Sequence, residues 1–186
     1  MYTKDNTTIF SIDMNNGFAK AGSLYSQRIQ DLIEPTAEFF KKAKEKGIRI
    51  IGVTDTHLEN ALEFSSYPAH CILGTPECEI VEELSGYMDE ILMKNSTNAF
   101  FSVPTSYESG HNYFVTGCCT DICIFQFATT LKAYFNENQI NSNVIVIEPL
   151  VDTFQMDGHD ADLFNAFFIK SLESSGVEIF SQVPSL

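Results

Sequence analysis

The sequence predicts an α/β protein: one domain over residues 1–186, a doubly wound three-layer α/β/α sandwich with a mostly parallel sheet of about six strands. Three observations predict it. Short β-rich runs alternate with segments of helical periodicity from end to end. The strand runs are too continuously apolar to have one wet face, which is the signature of strands covered by helices on both sides. A chain of 186 residues with 44% hydrophobic residues and 16 Phe has enough length and bulk for one large core, with no repeat, linker or low-complexity tract.

The elements follow in order. Thr8-Ile9-Phe10-Ser11-Ile12-Asp13 reads as the first strand. From about Leu24 to Lys46, apolar Ile29, Leu32, Ile33, Ala37, Phe40 and Ala43 recur at helical spacing, with a break or fresh start expected at Pro35 and a stop at Gly47. Ile48 to Thr54 is the next strand, and Asp55 to Pro76 a loop. Glu79 to Leu84 reads as a short helix, Ile91 to Lys94 and Asn112 to Thr116 as strands, and Asp121 to Phe135 as a helix capped by Thr120 or Asp121. Val144 to Glu148 is a strand, Asp160 to Ser174 a helix, and Val177 to Phe180 closes the series.

Charge and cysteine usage exclude several function classes. With 25 acidic against 11 basic residues the formal net charge is −14, and no Lys/Arg stripe with interleaved aromatics is present, so nucleic acid and anionic membranes are poor partners. The basic cluster Lys41-Lys42-Ala43-Lys44-Glu45-Lys46 falls where a helix ends and suits its dipole. The N-terminus carries no signal-peptide pattern and no apolar run approaches about 18 residues, so a cytoplasmic protein is expected. Five cysteines without framework spacing read as free thiols.

In open α/β sheets, ligands sit outside the carboxyl ends of the strands. Asp13, Asp55 and Lys94 fall at such ends, and Cys123 follows another. A lone cysteine is more often a small buried hydrophobe than a nucleophile. Cys123, however, falls in the first turn of a helix, where free N–H groups and a nearby Lys94 would favour the thiolate. Asp13 could accept the thiol proton, so the three together offer base, electrostatic support and nucleophile. Asp55-Thr56-His57, Glu63 and His70 place two histidines and two carboxylates within 16 positions. Such mixed N/O ligation suits a divalent ion, Zn²⁺, Mn²⁺ or Fe²⁺, in a site with room for water. His111 is expected at the surface and His159 at the start of the last long helix. The phenylalanines of Phe164-Asn165-Ala166-Phe167-Phe168 read as core or oligomer contact, and a homo-oligomer is expected.

Four segments together resemble the isochorismatase-like cysteine hydrolase superfamily, and within it the nicotinamidases. They are Ile12-Asp13-Met14-Asn15-Asn16-Gly17-Phe18; Asp55-x-His57 with His70 and Gly74-Thr75; Lys94 followed by Ala99-Phe100; and Gly117-x-x-Thr120-Asp121-x-Cys123, the most specific. The resemblance implies that Asp13 moves the proton, Lys94 supports it and Cys123 attacks an amide carbonyl. Backbone N–H groups of Cys119 and Cys123 would hold the oxyanion, with a cis peptide between Cys118 and Cys119. It further implies a metal, zinc first, on Asp55, His57, His70 and Glu63, and substrate contacts from Phe18 and Tyr67. Thr97 and Asn98 stand where the family usually has an aromatic and a serine, which implies a wider or more polar pocket. The expected reaction is deamidation of nicotinamide to nicotinate and ammonia. The alternatives are a related hydrolase acting on another small amide or carbamoyl compound, and a non-catalytic binding protein that keeps the fold.

Overall fold

Thr7–Ile12 is buried at every position and forms β1 at the centre of the sheet. It pairs in parallel with β2 (Arg49–Asp55) on one side and β4 (Asn112–Cys118) on the other. β3 (Glu90–Lys94) adds to β2, while β5 (Asn143–Asp152) and β6 (Glu178–Phe180) extend the opposite flank. The order is β3-β2-β1-β4-β5-β6, and every pairing is parallel. This computed structural model describes all residues 1–186.

The layers follow from the period of two along each strand. Ile9, Ile50, Phe114 and Ile145 point to one face, where they meet Phe39, Phe40 and Ala43 of α3 (Ile33–Glu45). Their neighbours Phe10, Ile51, Val115 and Val144 point to the other, against Phe127, Leu131 and Phe135 of α5 (Phe125–Glu137) and Leu172 of α6 (Ala161–Ser174). Each fully buried Phe contributes about 1.5–3 kcal/mol by leaving water, which is why strands this apolar require helices on both sides. No helix is long and apolar enough to cross a membrane.

Several local expectations are corrected. The break and fresh start that Pro35 implies inside the first helical region are present, at Leu32 between α2 (Gln27–Asp31) and α3. Pro35 is the third residue of α3, where a helix has no internal partner for the N–H that proline lacks. The helix expected over 79–84 is the shorter α4, Glu82–Ser85. Residues 79–81 are instead taken up by the chain after β1: Asn16 N–H donates to Glu79 O at 2.9 Å and Val81 N–H to Met14 O at 3.0 Å. The fifth strand runs on to Asp152, and its register against β4 shifts between Val115 and Gly117, a bulge that accommodates Pro149. His111 is half-buried, with Nε2 facing the Thr8 hydroxyl at 2.9 Å.

Candidate active site

Asp13 leaves β1 with φ +53°, which turns its carboxylate back across the sheet end. Its Oδ1 accepts a hydrogen bond from Asp55 N–H at 2.8 Å. Lys94 ends β3 in register with Asp55 at the end of β2. A charge at such a point usually marks the exit to solvent; here the side chain is 1% exposed. Its ammonium lies 2.9 Å from Asp13 Oδ2, donates to Asp55 Oδ1, and sits 3.8 Å from Cys123 Sγ. Burial opposes this charge, but Asp13, Cys123 and Asp55 outweigh it and hold the lysine pKa well above its usual value.

The other two members have shifted basicities. Burial and the Asp55 charge raise Asp13, against the pull of Lys94, to about 7. The contact with Lys94 is an ion pair without hydrogen-bond geometry, so Asp13 Oδ2 lacks a hydrogen-bond partner. For Cys123 the sequence expectation of a favoured thiolate is overturned. Burial pushes the thiol well up, and the Asp13 and Asp55 charges add to it, outweighing Lys94. Cys123 Sγ thus lies beside a carboxylate acceptor, with ligand atoms of Asp13, Asp55 and Cys123 all within 4.8 Å of one another.

Cys123 is carried by a π-helical turn, Thr120–Ile124, that leads into α5. Cys119, not Thr120 or Asp121, occupies the position before the turn, and Ile122 and Ile124 N–H both donate to its carbonyl at 3.1 Å. The Cys118–Cys119 peptide is cis, as the resemblance implies. Asp121 points away from Cys123: its carboxylate accepts from Thr153 Oγ1 at 2.5 Å and pairs with His159 Nε2 at 2.8 Å.

Beside the triad, Asp55, His57 and His70 bring ligand atoms within 4.8 Å of one another. His57 Nε2 stands 3.4 Å from Asp55 Oδ1 and 3.6 Å from Glu63 Oε2, and His70 Nε2 3.6 Å from Asp55 Oδ2. These separations suit donors that meet at a cation about 2 Å from each. The far ring nitrogens face acceptors, His57 Nδ1 the Asn95 Oδ1 at 3.3 Å and His70 Nδ1 the Pro68 carbonyl at 2.8 Å, which directs both Nε2 lone pairs inward. His57 Nε2 is buried with no hydrogen-bond partner, an orphan that a metal would satisfy. Burial alone would raise the Asp55 pKa; Lys94 and the adjacent His57 and His70 hold it far below the carboxylate range. Glu63 reaches the cluster with Oε2, its Oε1 being held by the Thr97 N–H at 2.8 Å and by the Thr97 hydroxyl.

A cavity of about 760 Å³ opens onto these groups, lined by Asp13, Asp55, Glu63, His70, Cys119 and Cys123 among others. Lys94 and His57 are buried behind that wall. Phe18 and Tyr67 also line it, their rings 5.6 and 6.3 Å from that of His70. Thr97 lines the cavity, but Asn98 does not: its Oδ1 accepts from Phe100 N–H and its Nδ2 donates to Thr130. Sequence reasoning missed the outer wall, formed by residues 23–28 and by Phe154, Gln155 and Met156. The turn Asp157-Gly158 was the one signal near the second segment, and nothing in it pointed to a pocket.

Known proteins share this fold and family. A nicotinamidase 1 from Arabidopsis thaliana is 27% identical over 175 residues, covering 81% of this chain and 70% of that protein. A zinc complex of a pyrazinamidase from Pyrococcus horikoshii superposes with a TM-score of 0.74 at 20% identity, covering 94% of this chain and 98% of that one. An N-carbamoylsarcosine amidase from Thermoplasma acidophilum does so with a TM-score of 0.77 at 16% identity, covering 97% and 98%. The isochorismatase domain model matches residues 7–175, so the chain belongs to the isochorismatase family of hydrolases.

Proposed function

We propose that the protein is a metal-assisted cysteine amidohydrolase that converts nicotinamide to nicotinate and ammonia. The observation that carries this reading is the meeting of Asp13, Lys94 and Cys123 beside the Asp55, His57 and His70 cluster, with Asp13, Cys123, Asp55 and His70 opening onto one cavity. A fold retained for binding alone has no physical need of a fully buried lysine between two carboxylates and a thiol.

The chemistry follows from the geometry. Asp13 takes the thiol proton as Cys123 Sγ attacks the amide carbon; an acceptor of pKa about 7 is matched to this task near neutral pH. Lys94 offsets the negative charge that passes between the two groups. Backbone N–H groups of Cys119 and Cys123 stabilise the oxyanion. Asp13 then delivers its proton to the departing nitrogen, ammonia leaves, and a thioester remains on Cys123. Water, deprotonated by Asp13, attacks the thioester and releases the acid and the thiol. Asp55, His57, His70 and Glu63 would hold a divalent ion, zinc or alternatively manganese or iron, which supplies a Lewis acid for the pyridine nitrogen lone pair. Phe18 and Tyr67 would flank the ring.

A second reading, hydrolysis of another small amide or carbamoyl compound, is favoured by the volume of the cavity, which one pyridine ring does not fill. An ammonia-release assay separates the two. Metal-loaded protein is expected to release ammonia from nicotinamide, to lose that activity with chelator, and to lose it in Cys123→Ala. Turnover of a different amide with none of nicotinamide would overturn the first reading.

A further inference from the structure

Part of the outer wall, Phe154, Gln155 and Met156, belongs to a strap, residues 153–160, between β5 and α6. A turn closed by the backbone pair Met156 and His159 lies within it, and its side chains are tied at both ends. At the β5 end, Asp152 Oδ1 accepts from Thr153 N–H at 2.7 Å, from Asn165 Nδ2 at 2.7 Å, and from Arg28 Nε and Nη2 at 3.0 Å. At the α6 end, His159 is clasped between two rings, stacked on Phe154 at 4.0 Å and facing Phe164 at 3.9 Å. Its Nδ1 donates to the Phe154 carbonyl at 2.9 Å. Its Nε2 meets Asp121 Oδ2 at 2.8 Å, while Asp121 Oδ1 accepts from Thr153 at the other end of the same strap.

Asp121 belongs to the π turn that presents Cys123. One carboxylate therefore joins the wall that would flank a substrate to the turn that carries the proposed nucleophile. The pair is mostly shielded, with side chains 12% and 5% exposed, where a hydrogen bond to a carboxylate is strong. We propose that His159 is a positioning residue: through Asp121 it fixes the Phe154–Met156 wall against the Cys123 turn, so that the substrate is held in line with the sulfur. This rests on the proposed hydrolase reading.

Two consequences follow. Both variants break the His159–Asp121 contact and Asp121→Ala also loses the Thr153 bond, so the double variant should show the defect of Asp121→Ala rather than the sum of the two. Asp121→Asn keeps an acceptor for Thr153 and offers an amide N–H to a neutral His159, so it should restore the link.

The experiment measures kcat and KM for the best substrate of the ammonia-release panel, the rate of Cys123 alkylation by iodoacetamide, and the melting temperature. Both alanine variants are expected to raise KM by roughly tenfold or more. The double variant should be no worse than Asp121→Ala, and Asp121→Asn should remain within about threefold of wild type. Wild-type KM and alkylation rate in His159→Ala, or a melting temperature that falls with no change in KM, would overturn the proposal. A wild-type protein that neither alkylates at Cys123 nor hydrolyses any amide would instead overturn the hydrolase reading.

Discussion

The charge of Lys94 depends on its immediate partners. A lysine this buried is tolerated only with opposite charge in direct contact, and it has two carboxylates. Cys123 gains less from it than its helix position suggested, because burial and two anions act on the same sulfur. The sequence identifies the group but not its protonation, which depends on how deeply three separate strand ends are packed. His111 gives a test away from the site. Burial lowers its pKa from the usual 6.5, against the opposing charge of Glu108. The folded state thus binds the proton less readily than the unfolded chain. Its contribution to stability is present above about pH 6.5 and is lost as pH falls through the lower folded value. Part of the group is solvated, so the effect is modest. His111→Gln is expected to reduce the drop in melting temperature between pH 7.5 and pH 5 by on the order of 2 °C. An identical drop in both proteins would contradict the assignment.

At the scale of elements, the junction of β1 and β4 places the chemistry. Gly117 has φ +111°, and a Cβ there would stand 1.9 Å from the Ile12 carbonyl oxygen. That close approach continues one residue on, where the Cys118 thiol donates to the Asp13 carbonyl at 3.2 Å. The end of β1 and the turn after β4 are thereby held together, which brings Asp13 to Cys123. Gly117→Ala is expected to destabilise the fold by about 3 kcal/mol or more, because the obstructing atom is backbone and cannot rotate aside. Denaturant unfolding would check it, and wild-type stability would contradict the account. The strands were legible because Ile9 and Phe10, or Val144 and Ile145, fill opposite faces and leave unbroken apolar runs. Boundaries set by tertiary contact were not: residues 79–81 read as helix by pattern but pair with the chain after β1. The π turn at Thr120–Ile124 likewise has no local sequence signature distinct from an α-helical start.

For the whole molecule, the strand order explains why distant motifs share one edge. The chain builds β1 to β3 outward on one side, then crosses to β4 and builds outward on the other. The crevice at that reversal is where α/β sheets bind ligands, and Asp13 and Cys123 flank it, with Asp55 and Lys94 on the next two strands. Strand-end residues could be listed from sequence because each directly follows an apolar run. The strap at 153–160 could not, since His159 and Asp121 meet across 38 residues with no periodicity linking them. The proposed metal ligands were legible as a cluster of donor types; the inward aim of both Nε2 atoms depends on Asn95 and the Pro68 carbonyl, which are visible only in three dimensions.

The central claim is covalent catalysis by Cys123, and trapping the intermediate tests it most directly. Metal-loaded protein is mixed with nicotinamide or the amide that the ammonia assay selects, quenched in acid within a turnover, digested and analysed by mass spectrometry. The account predicts an acyl adduct, lacking the nitrogen of the leaving group, on the peptide that contains Cys123, and its absence from Cys123→Ala. Continued turnover by Cys123→Ala, or an adduct on Cys119 in place of Cys123, would contradict it.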